Sequence, residues 1–161
     1  MFEQIHRAAL AVGVGIASHS EIDEVGIVPA TRLAMMQAVQ SLAPAPAALV
    51  IDAVRLPELP LPQRVLFHAD TLCLSVAAAS IVAKVTRDRL MVDLDRQYPG
   101  YAFGRHKGYG TALHRQVLAQ LGPSVVHRLT FEPVRAVAQG CPLLPGTMRD
   151  ECVSVRREIE T

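Results

Sequence analysis

The sequence predicts an α/β protein with a mixed sheet flanked by helices. Short apolar segments that suit buried strands alternate with longer segments whose apolar residues recur at helical spacing. Two of the short segments lead into an aspartate, and ligands in α/β proteins collect where buried parallel strands end. The chain has 161 residues, half of them hydrophobic, so it can bury a core as one domain.

The first third of the chain predicts a helix, a strand and a second helix. Phe2–Ala9 has the pattern of an amphipathic helix, and the apolar run Leu10–Ala17 predicts a buried strand. Gly13 and Gly15 resemble part of a dinucleotide-binding loop, but they lie inside the predicted strand rather than after it, which disfavours that interpretation. A helix is expected over Pro29–Leu42.

The middle of the chain predicts two short strands and one long helix. The strands are expected at Ala47–Asp52 and Arg64–His68, and the helix at Leu74–Tyr98. Small apolar residues fill the first half of this helix, so we expect that half to be buried on nearly every side. Charges three and four residues apart in its second half predict ion pairs. The expected pairs are Arg89 with Asp93 and Asp93 with Arg96.

The last third begins with a polar, glycine-rich loop, Gly104–Thr111. A helix is expected over Leu113–Leu121 and an extended segment over Val125–Phe131. Glycine and proline then interleave with polar residues. We therefore expect a domain over residues 1–138 and a poorly ordered tail over residues 139–161.

Charge, cysteine content and the length of apolar runs indicate the kind of protein and its compartment. The formal net charge is only +1, so any positive surface must be local. Three cysteines lie far apart without metal-ligand spacing, which fits free thiols in a reducing cytosol. No apolar run reaches the length of a membrane span. These observations predict a cytoplasmic protein that does not enter a membrane, and we expect it to act as a monomer.

Two aspartates are the first candidates for chemistry. Asp52 and Asp70 each follow an apolar strand, so a shared sheet edge would bring the two carboxylates together. A divalent cation would relieve their repulsion, and magnesium accepts one or two carboxylates, waters and phosphate oxygens. The alternative is that one aspartate caps the following turn or helix and the other is a solvated loop acid.

Basic and aromatic residues beyond Asp70 are the second set of candidates. Two basic residues lie three apart on the long helix, and others lie in the glycine-rich loop, where a tyrosine between two glycines could lie against a sugar or base. The alternative is a solvated helix face balanced by Asp88 and Asp93. The side chains expected to contact nucleic acid are Tyr109, Lys84, Arg87, His106 and Lys107.

The remaining histidines give no pattern that indicates a site. No Ser/His/Asp or Cys/His arrangement stands out in the sequence. We expect these histidines to be structural or solvated. The residues concerned are His6, His19, His114 and His127.

Three stretches resemble the ribonuclease HII family. They are SVAAASIVAKVTRDRL from Ser75, YPGYAFGRHKGYGT ending at Thr111, and His-Arg-Leu-Thr-Phe-x-Pro ending at Pro133. Together with the two aspartates, the resemblance covers roughly Phe2–Arg135. It implies a ribonuclease H-like α/β fold. It also implies metal-dependent endonucleolytic cleavage of RNA in RNA–DNA hybrids, including ribonucleotides embedded in duplex DNA, with Mn²⁺ or Mg²⁺.

The resemblance also implies roles for single residues. Asp52 matches the third and Asp70 the fourth of the family's four metal-binding carboxylates. Tyr109 matches the tyrosine that reads the sugar at the RNA-to-DNA junction, where a 2′-hydroxyl is the chemical mark of a ribonucleotide.

The sequence departs from the family at its beginning. The first family motif, Gly-x-Asp-Glu-x-Gly-Arg-Gly, supplies two carboxylates and is not found. Asp23 and Glu24 imitate it, but Glu21 replaces the first glycine, and the pair follows the predicted Leu10–Ala17 strand instead of lying in one. We therefore expect the N-terminal strands of the domain to be missing. Residues flanking Asp52 and Asp70 also depart from the family pattern.

Three interpretations remain at the level of sequence. The chain could be part of an active ribonuclease HII that extends upstream. It could be an impaired remnant that only binds hybrid duplex. It could also be a scaffold in which both aspartates are caps, which the family-like central block argues against.

Overall fold

The computed structural model of the protein describes residues 1–140. All but the first two residues of the predicted tail, 139–161, lie outside the described residues. The chain divides into two compact units, Met1–Leu90 and Met91–Thr161. The single domain expected over residues 1–138 stays a prediction.

The described residues contain eight helices and two strands. In chain order these elements are α1 (Phe2–Ala8), α2 (His19–Val25), α3 (Ile27–Gln40), β1 (Leu49–Asp52), β2 (Gln63–Leu66), α4 (Ala69–Leu72), α5 (Leu74–Gln97), α6 (Phe103–His106), α7 (Ala112–Leu121) and α8 (Glu132–Ala138).

The sheet of the first unit is the parallel pair β1 and β2. Asp52 lies opposite Leu66, so both strands end at the same edge. This confirms both predicted strands and the α/β class. In residues 1–140 no further strand joins this pair. Ile51, Ala69 and Val82 are buried in this unit.

The predicted strand Leu10–Ala17 is wrong, because the segment has no ladder partner among the described residues. It lies instead along α3, where the Ile16 N–H donates to the Gln37 side chain at 3.1 Å. A β-carbon on Gly13 would collide with the Ala38 carbonyl oxygen, and one on Gly15 with that of Ala34. Glycine therefore permits this close approach of backbone to helix.

Helix α2 begins with a capping box. Ser18 accepts a hydrogen bond from the Glu21 backbone, and the Glu21 carboxylate accepts one from the Ser18 backbone at 2.7 Å. The bonds that the Glu21 carboxylate accepts from the Ser18 backbone N–H and from the Ser18 hydroxyl hold the pKa of Glu21 below its usual value. Asp23 and Glu24, which imitate the family's first motif, therefore lie on a helix rather than in a strand.

The long helix α5 confirms the predicted element to within one residue. The prediction that its first half, residues 75–83, is buried on nearly every side is wrong, since Ala79 and Ala83 are exposed and only Val82 in this helix is buried. The Asp93–Arg96 pair is confirmed at 2.9 Å. Arg89 instead reaches Glu3 at 3.5 Å and lies over the Phe2 ring.

The second unit, as far as it is described, contains α6, α7 and α8, with α7 packed against both of the others. Its core combines aliphatic residues such as Leu118 and Val134 with Phe103 and three histidines. The extended segment predicted at Val125–Phe131 is wrong. Two turns occupy it, closed by hydrogen bonds from His127 N–H to Ser124 O and from Phe131 N–H to Arg128 O.

No helix in residues 1–140 combines the length and apolar character needed to cross a membrane.

Candidate functional site

Two candidate aspartates lie near the edge where the parallel strands end. Asp52 is the last residue of β1, and its Oδ1 accepts a hydrogen bond from the backbone N–H of Ala69 at 3.2 Å. Ala69 is fully buried and is the first residue of α4, which packs on β1. Asp70 is the next residue, so this bond ties the end of β1 to the helix that carries the second carboxylate.

Both carboxylates are exposed to solvent. Asp52 acts partly as the cap that the alternative interpretation allowed, because one of its oxygens accepts a helix N–H. Asp52 belongs to the preceding strand, so it does not cap the turn that directly follows it in the sequence. Thr71 donates its hydroxyl hydrogen to the His68 carbonyl at 2.8 Å.

The backbone beside each carboxylate is in the left-handed region. Ala53, directly after Asp52, has φ 58°, and His68, two residues before Asp70, has φ 55°. Non-glycine residues in this region are disfavoured by about 1 to 2 kcal/mol. The tight turns after both strands therefore carry local strain beside the candidate site.

A side chain of β2 braces the loop that follows Asp52. The Gln63 amide accepts the Leu56 N–H at 3.0 Å and donates to the Leu56 carbonyl at 2.6 Å. It also donates to the Leu59 carbonyl at 3.1 Å. Leu56 itself is 1% exposed. The proline-containing loop is thus held against the strand that leads towards Asp70.

The two carboxylates suit a hard divalent cation. In residues 1–140 no group of three or more carboxylate, imidazole or thiol side chains is arranged so that it could hold a metal ion. Magnesium and manganese favour oxygen donors, and magnesium keeps several waters when only one or two carboxylates bind it. Exposed Asp52 and Asp70 therefore fit a cation that shares its shell with water and a phosphate group.

The basic residues of α5 have the environment of a charged helix face. Lys84 pairs with Asp88 one turn later, with nitrogen–oxygen distances of 2.8 and 2.9 Å. Arg87 is exposed on the same helix. The pairing of Lys84 agrees with the solvated-face alternative, and an exposed pair of this kind contributes only about 0.3 to 0.5 kcal/mol.

The loop Gly104–Thr111 presents Tyr109 to solvent. The residue is 54% exposed. The Tyr109 N–H donates to the His106 carbonyl at 2.9 Å, and the Tyr109 carbonyl accepts the Thr111 N–H at 2.7 Å. Lys107 and Gly108 both have positive φ, 52° and 76°, which turns the backbone sharply before Tyr109.

His106, which we predicted to contact nucleic acid, is buried. The residue is 4% exposed, and both ring nitrogens are hydrogen-bonded inside the unit. His114 and His127, predicted to be structural or solvated, are buried beside it at 3% and 6% exposure. Sequence reasoning missed this grouping, because the three residues show no regular spacing.

The structure thus defines two groups of candidate residues, each within its own unit. Asp52 at the end of β1 and Asp70 on α4 are together called the acidic sheet edge below. Tyr109 and Lys107 lie on the glycine-rich loop of the second unit.

Comparison with known proteins identifies the relatives of this chain. The family model for ribonuclease HII matches residues 2–134. The ribonuclease HII of Chloroflexus aurantiacus is 58% identical over 134 residues, which cover 83% of this chain and 63% of the relative. That of Dehalococcoides mccartyi is 52% identical over 132 residues, covering 82% and 62%. The chain thus spans somewhat less than two thirds of the length of these relatives.

A solved structure has a similar fold. The crystal structure of the ribonuclease H2 from Pyrococcus horikoshii matches with a TM-score of 0.69 at 22% sequence identity. The match covers 86% of this chain and 74% of that one. The ribonuclease H-like α/β fold is therefore confirmed. Since the family model spans most of the chain and the relatives share more than half of the aligned residues, this chain belongs to the ribonuclease HII family.

Proposed function

We propose that the protein works as a divalent-metal-dependent endoribonuclease. Its substrates would be the RNA strand of RNA–DNA hybrids and ribonucleotides embedded in duplex DNA. Family membership supports the reaction class. The observation that carries the proposal is the hydrogen bond from Ala69 N–H to Asp52, because it ties the first carboxylate to the start of the helix bearing Asp70.

Asp52 and Asp70 would hold Mn²⁺ or Mg²⁺. A bound cation at such a site neutralises charge on the phosphodiester and lowers the pKa of a bound water. The residues of the chain contribute placement. The Ala69 N–H orients the Asp52 carboxylate, and the parallel strands set both acids at one edge. The exposure of both side chains leaves room for a phosphate group.

Tyr109 would contact the sugar of the ribonucleotide. Its exposed ring between two glycines can lie flat on a sugar or base, and the 2′-hydroxyl of RNA distinguishes the two kinds of nucleotide. Lys84, Arg87 and Lys107 would contact phosphates. Lys84 would have to exchange Asp88 for a phosphate, at a small free-energy cost because the pair is exposed.

We also propose that the protein acts as a monomer in the cytoplasm. The spacing of its cysteines supports a reducing compartment, and Cys73 is a free thiol in the structure. Light scattering of the purified chain tests the first point, since a stable dimer would contradict it.

The direct experiment is cleavage of a duplex that contains a single ribonucleotide. The 161-residue chain and a version extended upstream to the full length of its relatives are assayed with Mn²⁺ or Mg²⁺. We expect cleavage beside the ribonucleotide by the extended version and weak cleavage by the 161-residue chain. Tyr109→Ala should weaken binding of this duplex more than binding of the all-DNA duplex. Failure of both lengths to cleave under either metal would contradict the proposal.

A further inference from the structure

The second unit contains a buried cluster of three histidines, His106, His114 and His127, called the histidine cluster below. The rings of His106 and His114 are stacked, with centroids 4.1 Å apart and planes 9° apart. His114 and His127 are joined through their Nε2 atoms at 3.2 Å. Burying a polar imidazole costs free energy unless its nitrogens are hydrogen-bonded, whereas apolar side chains would fill this core without that cost. The presence of three buried histidines therefore needs an explanation.

The donor and acceptor of each hydrogen bond made by His127 and His114 can be assigned from the Ser124 backbone N–H. The Ser124 backbone N–H can only donate, and it lies 3.0 Å from His127 Nδ1, so that nitrogen is an acceptor. The ring hydrogen of neutral His127 is then on Nε2 and is donated to His114 Nε2. His114 consequently carries its hydrogen on Nδ1 and donates it to the Tyr109 carbonyl at 3.0 Å.

The tautomer of His106 follows from the same reasoning. The Gly108 N–H donates to His106 Nδ1 at 3.0 Å, so that nitrogen is an acceptor. The hydrogen of His106 is on Nε2 and is donated to the Tyr101 carbonyl at 2.8 Å. All six ring nitrogens of the histidine cluster are therefore used, and each imidazole has a single tautomer.

These bonds hold the backbone on both sides of Tyr109. His114 binds the Tyr109 carbonyl, and His106 binds the N–H of Gly108, the residue before it. The His114 bond fixes the peptide group that follows Tyr109, and the His106 bond fixes the peptide group between Lys107 and Gly108. Tyr109 itself stays 54% exposed. The turn at Lys107 and Gly108 needs such support, because Lys107 occupies the left-handed region.

We propose that His114 and His106 are positioning residues that fix Tyr109 for contact with a ribonucleotide, and that Ser124 and His127 orient His114 for this task. The inference rests on the proposed function, since it assigns a purpose to Tyr109 as a contact to the substrate. It replaces the predicted direct contact of His106 with nucleic acid.

The arrangement requires neutral imidazoles. A proton on His114 Nε2 would place it against the hydrogen on His127 Nε2. Burial, followed by the neighbouring His106, lowers the pKa of His114. The titratable or charged groups around His114 are His106 on α6, His127 before α8 and Tyr101 against the His127 ring. The Arg128 guanidinium lies over Phe131, which stacks on His114.

The first test is nitrogen NMR of the histidine rings in the free chain at neutral pH. We expect hydrogen on Nε2 in His106 and His127 and on Nδ1 in His114, all three rings being neutral. The opposite tautomer in any of the three, or a protonated ring, would overturn the inference. This measurement requires no substrate and is independent of the proposed activity.

The second test compares variants in binding the duplex with a single ribonucleotide. His114→Phe fills the space but removes the donor to Tyr109, and we expect affinity to fall about fivefold, as for one lost hydrogen bond. His114→Asn places an amide donor near the position of Nδ1 and should restore most of this loss. Val117→Ala, a buried cavity variant of the same helix, should lower the unfolding temperature without changing affinity. Gln116→Ala, on the exposed face of that helix, should change neither quantity.

The outcomes separate the two proposals. If Tyr109→Ala weakens binding but His114→Phe does not, the positioning role is wrong and the proposed function stands. If Tyr109→Ala has no effect on binding, the proposed contact to the ribonucleotide is itself wrong. Equal losses of affinity in His114→Phe, His114→Asn and Val117→Ala would show a merely structural role and overturn the inference.

Discussion

The acidic sheet edge and the histidine cluster are two polar sites built in different ways. The acidic edge is open to solvent, and one backbone N–H orients Asp52 there. The histidine cluster is closed, with its rings 3 to 6% exposed and every ring nitrogen hydrogen-bonded. Exposed carboxylates keep coordination capacity for a cation and a substrate, whereas a saturated network can only hold neighbouring groups in place. Mutations should therefore separate activity from stability at the first site and couple them at the second.

The largest effect is expected at the acidic edge. Asp52→Asn and Asp70→Asn each remove a negative charge from the proposed metal site, so cleavage should fall at least about a hundredfold, roughly 3 kcal/mol of transition-state stabilisation. Asparagine at position 52 can still accept the Ala69 N–H, so the unfolding free energy should change by less than about 1 kcal/mol. Cleavage kinetics of the extended version and chemical denaturation of each variant measure the two quantities. Glu58→Gln, an exposed acid in the adjacent loop, is the control. Unchanged cleavage by either aspartate variant would remove that residue from the metal site.

In the histidine cluster we expect the large effect of a mutation to be on the unfolding free energy. His127→Ala leaves His114 Nε2 and the Ser124 N–H without a partner and opens a cavity, so the unfolding free energy should fall by about 2 to 4 kcal/mol. Denaturant titration checks this value. His6→Ala, at an exposed residue of α1, should change it by less than about 0.5 kcal/mol. A similarly small change for His127→Ala would mean that the network contributes little to the fold.

Acid should destabilise the protein through His114. Burial lowers the pKa of folded His114 from its ordinary 6.5, so the unfolded chain binds more protons as the pH falls below 6.5. Stability from this residue is thus fully present above pH 6.5 and is lost progressively as the pH falls towards and through the folded value. His114→Phe should flatten this part of the curve of unfolding free energy against pH. An identical curve for variant and parent would contradict the assignment.

The smallest effect concerns the strained turn beside Asp52. Ala53 has φ 58°, which disfavours an alanine by about 1 to 2 kcal/mol, while the greater freedom of unfolded glycine offsets about 0.5 to 1 kcal/mol. Ala53→Gly should therefore stabilise the protein by about 0.5 to 1 kcal/mol, measured as a shift of the denaturation midpoint. Ala79→Gly on α5 should destabilise it by about 1 kcal/mol. Destabilisation by both variants would show that the turn at Ala53 is not strained.

The sequence alone predicted the helices and strands whose ends are marked by proline, glycine or aspartate. Helix α5 stops before the Pro99–Gly100 pair, and α7 ends before Gly122, as predicted. The short strands β1 and β2 were predicted from apolar runs ending near aspartates, and their parallel pairing brings Asp52 level with the end of β2. The acidic sheet edge followed from these local signals together with the general geometry of parallel sheets.

Other features depend on contacts that no local pattern encodes. Leu10–Ala17 and Val125–Phe131 have apolar patterns that suit a strand, but a strand also needs a partner, and neither segment has one in residues 1–140. The histidine cluster was missed because two turns, and not a regular spacing, bring His127 to His114. Ser124, three residues before His127, was the available signal, since a serine at that distance in a turn can bond the ring.

Gly13 and Gly15 approach the carbonyls of Ala38 and Ala34, which lie four residues apart on α3. The spacing of the two glycines therefore has to match the length of about one helical turn. Two residues of extended chain advance about 6.6 Å, and four residues of α-helix advance about 6.0 Å. The two repeats nearly coincide over one step and drift apart by about 0.6 Å with each further one. A longer run of alternating glycines would drift progressively out of register with α3. A single pair of glycines therefore suits two helix carbonyls that lie four residues apart.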